Sequence, residues 1–138
     1  MVEKNSFNIK ANEFAAKGEA ALKGSFFGNL MSSKSERMDN AKEAFQQAAN
    51  CYKHAREPER AVAMLMRCVE CETEPMFKAN LIKEAANVIK AEDSERYMKL
   101  ASEAIDMYAM AGRSSGAAGL SKDCAEKLEE DFDLERAA

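Results

Sequence analysis

The sequence predicts an all-helical protein, and three observations carry that expectation. Helix-forming residues dominate, with only 6 glycines and 2 prolines in 138 residues. Runs of β-branched residues are missing. Apolar residues recur at i, i+3, i+4 and i+7 along most of the chain. A chain of this length amounts to about one ordinary domain and can bury roughly two thirds of its unfolded surface. We therefore expect a single helical-repeat domain over residues 1–138.

Ala11, Phe14, Ala15, Gly18 and Leu22 mark a first helix over residues 8–24. The stretch KGSFFGNLMSS, residues 23 to 33, follows it. Glycine and serine punctuate loops, which places Phe26, Phe27, Leu30 and Met31 in a loop over 25–37. Apolar side chains in a loop need a cover, and the candidates are the protein's own core, a partner or a membrane. Ala41, Ala44, Phe45, Ala48, Cys51, Tyr52 and Ala55 then form the stripe of a second helix. Pro58 suits the first turn of a third, which continues through Ala61, Met64, Leu65, Cys68 and Val69. Pro75 opens a fourth carrying Leu81, Ala85, Val88 and Ile89 and ending near Ala91. Asp93, Ser94 and Glu95 supply capping residues for a fifth, whose stripe runs from Tyr97 through Leu100, Ala104, Ile105 and Tyr108 to Gly112, a helix-ending residue. Ala117, Leu120, Cys124 and Leu128 mark the last helix. Helical hairpins thus span 38–131, with a tail over 132–138 expected to fray.

The second and fifth helices, each with its successor, overlay without a gap. The overlay pairs Ala48 with Ala104, Tyr52 with Tyr108, Ala55 with Ala111, Ala61 with Ala117 and Cys68 with Cys124. Small residues at fixed positions let neighbouring helices approach closely while an aromatic fills the space between them. The expected architecture is accordingly antiparallel helical hairpins stacked as a tetratricopeptide-like right-handed solenoid, or twisted helical sheet.

Composition narrows the chemistry. A formal charge of −4 lacks the basic footprint that nucleic acid requires. No apolar run reaches the 18 or so residues needed to cross a bilayer, and Met1 to Ala20 carries charges where a signal peptide has an apolar block. A cytoplasmic protein is expected, with the cysteines at 51, 68, 71 and 124 reduced and acting as small hydrophobes. The single histidine, His54, leaves few options for acid–base catalysis, and there is no phosphate loop, nucleophile elbow or zinc-protease helix. Cys51, His54, Cys68 and Cys71 are all possible zinc ligands. A hairpin turning near Pro58 sets the two pairs several ångströms apart along the helix axes, at about 1.5 Å per residue, whereas zinc needs all four within about 2.3 Å of itself. We expect no enzyme, no metal and no cofactor.

The stretch SFFGNLMSSKSERMDNAKEAFQQAANCYKHA resembles the start of the SNAP family, the soluble attachment proteins for the N-ethylmaleimide-sensitive fusion ATPase. In that family a helix leads into an SFFxxxF-type loop and then into a helix ending in AAN-x-aromatic-K-x-A, here Ala48 to Ala55. EAANVIKAEDSERYMKLASEAIDMYAMAGRSSGAA is similar to later family helices, including Asn87 to Lys90 and Tyr108 with Gly112, Arg113, Ala117 and Ala118. The likeness spans about residues 10 to 130. It departs at Ser32-Ser33, where a glycine pair is usual. It departs again at Gly119, where a basic residue is usual and Lys122 follows one turn later, and the Glu72-to-Met76 turn is also somewhat short.

The resemblance implies a non-catalytic adaptor of membrane fusion and vesicle traffic that is peripheral on membranes. Such an adaptor binds SNARE complexes and the membrane so that the fusion ATPase can disassemble them. It implies membrane contact by Phe26, Phe27, Leu30 and Met31, aided by Lys23, Lys34 and Arg37, and SNARE contact by Arg113, Lys90 and Lys122. The family's ATPase-docking C-terminal bundle has no counterpart among these residues, so the chain looks like an N-terminal portion. The residues themselves leave a second reading open, a generic tetratricopeptide-like module that binds a peptide or protein in its groove and uses the Phe loop only for packing.

Overall fold

The computed structural model describes residues 2–24 and 33–137, and among them the chain is all-helical. The helices are α1 (Val2–Lys23), α2 (Lys34–His54), α3 (Pro58–Cys71), α4 (Pro75–Ile89), α5 (Ser94–Met110) and α6 (Ser114–Ala137). Local signals start several of them as expected. Pro58 and Pro75 occupy first-turn positions, where the missing N–H costs nothing. The Asp93 carboxylate caps α5 by accepting from the Arg96 N–H at 3.0 Å.

Three boundaries differ from expectation. The first helix starts at Val2, not at residue 8, because its early turns are held by remote contacts: Phe7 stacks on His54 with ring centroids 5.1 Å apart, and Lys4 lies 3.7 Å from Glu57. The loop expected over 25–37 gives way to helix at Lys34. There the Ser33 hydroxyl accepts from the Glu36 N–H at 3.1 Å, the serine half of an S-x-x-E capping box. The tail expected to fray is helical to Ala137. It is tied down by the Lys127–Asp131 ion pair at 3.2 Å and by the Ser94 hydroxyl on α5, which with Lys127 holds the Asp131 carboxyl below its ordinary pKa.

The helices gather into two compact units that part between Thr73 and Glu74. In the first unit α2 is the middle helix, packed on α1 and on α3. Its core is a floor of alanines, including Ala41, Ala48 and Ala49, around Phe45, with Val62, Leu65 and Cys68 from α3. In the second unit α5 is the middle helix between α4 and α6. Tyr97 is fully buried there among Ile89, Ala101, Ala104 and Leu120. Alanine lets the helices lie close, and one aromatic per seam fills the remaining volume.

Each unit repeats the same two devices, in the gapless register already visible in the sequence. The Tyr52 hydroxyl donates to Asn12 Oδ1 at 2.5 Å, tying α2 to α1. The Tyr108 hydroxyl donates to Asn80 Oδ1 at 2.6 Å, tying α5 to α4. The middle helices also end alike. Arg56 (φ 59°) and Gly112 (φ 72°) both adopt left-handed backbone. The following N–H, of Glu57 or Arg113, returns to the Tyr52 or Tyr108 carbonyl at 2.9 or 2.8 Å, closing a Schellman turn. Left-handed backbone costs a residue with a Cβ about 1–2 kcal/mol. A Cβ at Gly112 meets nothing within 4 Å, so backbone strain alone sets the effect of Gly112→Ala. Urea unfolding should show a loss of about 1 kcal/mol for Gly112→Ala and a gain of similar size for Arg56→Gly.

Candidate partner-binding surface

The expected membrane-contact residues Phe26, Phe27, Leu30 and Met31 lie outside the described residues. Their two anchors are described. Gly24 (φ 68°) ends α1 by donating its N–H to the Ala20 carbonyl at 2.9 Å, and Ser33 begins α2. Lys23 and Lys34 flank the segment and are exposed.

The expected SNARE-contact residues all fall in the second unit. Arg113 follows the Gly112 turn and is exposed. Its backbone is fixed on both sides, by its N–H to Tyr108 and by its carbonyl, which accepts from the Ala117 N–H at 3.1 Å. Its guanidinium forms no ion pair among the described residues, so a full charge stands on a rigid corner. Lys122 is likewise exposed, on α6. Lys90 differs: it ends α4 half-buried, with Nζ 5.2 Å from the centre of the Tyr97 ring, so part of its charge is spent on a cation–π contact. The three are not gathered into a pocket. Lys90 precedes α5 and Arg113 follows it, which puts them about 25 Å apart at 1.5 Å per residue, with Lys122 about 14 Å along α6 from Arg113.

His54 is stacked on Phe7, all four cysteines are free thiols, and Cys68 Sγ is turned to the Lys42 carbonyl at 3.5 Å. Burial pushes the Cys71 thiol up, away from the reactive thiolate. Among the described residues no group of three or more His, Cys, Asp and Glu side chains is placed to hold a metal ion. Among the described residues no helix is long and apolar enough to cross a membrane.

The family model of the soluble NSF attachment proteins, SNAP, matches residues 9–138. The chain belongs to the SNAP family. No curated protein and no solved structure compared with the chain gives a match. The SNAP family is one of non-catalytic adaptors in SNARE-dependent vesicle traffic.

Lys90 belongs to a cluster that the sequence did not disclose. The Tyr97 hydroxyl beneath it is buried and has no hydrogen-bond partner of normal geometry. Burial, with the Cys124 thiol and the Asp123 and Glu126 carboxylates nearby, pushes its pKa up to about 12. A buried unpartnered hydroxyl costs about 1–3 kcal/mol, while a phenyl ring preserves both the packing and the lysine contact. Tyr97→Phe should therefore raise the melting temperature. It should also remove a loss of stability between pH 10 and about 12: a folded-state pKa raised above the ordinary value of 10 stabilises below pH 10, and that gain is lost as pH rises through the folded pKa. Thermal melts of both proteins at pH 8 and pH 11 measure the two effects together.

Proposed function

We propose that this SNAP-family chain is an adaptor that binds SNARE complexes and the membrane surface together, so that the N-ethylmaleimide-sensitive fusion ATPase can disassemble the complex. The match over residues 9–138 carries this reading. A SNARE bundle is an acidic, largely featureless rod, so charge and spacing must recognise it. Arg113, Lys122 and Lys90 supply cations spread along the hairpins of the second unit, with Arg113 the best placed because its charge is exposed and its backbone fixed. Phe26, Phe27, Leu30 and Met31 would enter the membrane, with Lys23 and Lys34 meeting anionic headgroups at about 1 kcal/mol each.

The test is binding of a purified four-helix SNARE complex at low and high salt. Exposed charge pairs are worth about 0.2–1 kcal/mol, and reversal adds repulsion to lost attraction. Arg113→Glu should thus weaken binding about tenfold at low salt, and added salt should weaken the unsubstituted chain as well. Salt-insensitive binding, or binding unchanged by Arg113→Glu, would rule the assignment out.

A further inference from the structure

We infer that Cys124 is a site of reversible oxidation by hydrogen peroxide, and that the buried Tyr97 hydroxyl retains the sulfenic acid formed there. Tyr97 is 0% exposed, and its hydroxyl is enclosed without a hydrogen-bond partner of normal geometry. On α6, Leu120, Cys124 and Lys127 follow one another at i, i+4 and i+7 and so share a face. Leu120 and Lys127 are buried, which makes this face the seam with α5, the helix on which α6 packs. The Cys124 thiol meets the Tyr97 hydroxyl in that seam while staying only half-buried itself. An accessible sulfur thus stands beside an enclosed donor that lacks an acceptor.

A thiol sulfur is a weak acceptor. An oxygen carried on that sulfur is a stronger one, so its addition supplies the partner that the buried hydroxyl lacks. The sulfur attacks one oxygen of the peroxide, the O–O bond breaks as the S–O bond forms, and the thiol proton leaves with the departing hydroxide as water. Sulfur is thereby oxidised to Cys–S–OH and the peroxide is reduced. Charge selects the oxidant. The Asp123 and Glu126 carboxylates stand near the hydroxyl, and α6 carries seven acidic against three basic residues, a field that turns away anionic reagents such as glutathione disulfide and admits neutral hydrogen peroxide. Isolation preserves the product. A sulfenic acid is lost when a second thiol condenses with it, and Cys124 is the one cysteine of the second unit, the other three lying in the first. A neutral dithiol returns it to the free thiol. This inference does not depend on the SNARE-binding reading.

The test treats the full chain with hydrogen peroxide, removes the excess with catalase, and unfolds the protein in urea containing dimedone, which captures sulfenic acids for mapping by mass spectrometry. Cys124 should carry several-fold more adduct than Cys51, which is also half-buried but has no such hydroxyl beside it among the described residues. Tyr97→Phe keeps the ring and its packing, so the Cys124 thiol should be consumed at the same rate while the adduct falls several-fold and sulfinic acid takes its place. Peroxide should also raise the melting temperature of the unsubstituted chain and leave that of Tyr97→Phe unchanged. Equal adduct on the two cysteines, none on Cys124, or a yield unaffected by Tyr97→Phe would overturn the inference.

Discussion

Replacing Phe45 with alanine should lower stability by about 3–5 kcal/mol, the range for removing a fully buried phenylalanine. Phe45 is 0% exposed on the middle helix of its unit, and all three helices meet at its ring. Gly18 of α1 lies so close that a Cβ there would stand 2.5 Å from the ring. The Arg67 guanidinium of α3 sits 5.1 Å from the ring centroid, held by Glu19 of α1 at 2.7 Å and by Glu70 one turn on. Removing the ring leaves a cavity that the alanine floor cannot fill and takes away the surface on which Arg67 lies. Domains of this kind are stable by about 5–15 kcal/mol, so the loss is about a fifth of the total or more. Urea denaturation should show a lower midpoint with an unchanged slope, and a change below about 1 kcal/mol would show that Phe45 is not the centre of this unit.

Phe26→Ser together with Phe27→Ser should abolish flotation with anionic liposomes while leaving the helical circular dichroism and melting temperature unchanged. Fully burying a Phe, Leu or Met side chain contributes roughly 1.5–3 kcal/mol. The four apolar residues of the segment therefore supply at most about 6–12 kcal/mol before partial insertion and ordering reduce it, and removing half leaves too little to hold a protein on a bilayer. Several copies on one SNARE complex would raise membrane affinity through effective concentration, so flotation should strengthen when the complex is present. A large drop in melting temperature would instead place the two rings inside the fold.

How far the sequence could be read depended on the range over which each feature is determined. The starts at Pro58, Pro75 and Asp93 and the stop at Gly112 are local, each set by one residue's backbone or capping chemistry, and they were legible. So was the pairing of Tyr52 with Tyr108. The start of α2 carried its own signal in Ser33 and Glu36, but the glycines and serines just before it drew the loop out to residue 37. The start of α1 had no local signal, because Phe7 and Lys4 are ordered by His54 and Glu57 some fifty residues away. The tail is helical for a similar reason, since Asp131 is held by Ser94. Arg113 was legible as an exposed cation after a glycine turn. Lys90 was not legible as a cover for Tyr97, because the contact joins the end of one helix to the first turns of the next, where helical periodicity does not apply.

The paired Tyr–Asn bonds have a mechanical consequence. Alanine seams are smooth, and a smooth seam permits one helix to creep lengthwise past another. A slip of one turn, about 5.4 Å, would break the Tyr52–Asn12 bond in one unit or its Tyr108–Asn80 counterpart in the other, forfeiting about 0.5–1.5 kcal/mol each. Each bond thus works as a detent, so a pull along the helices meets a stiff lever that yields in discrete jumps and does not stretch gradually.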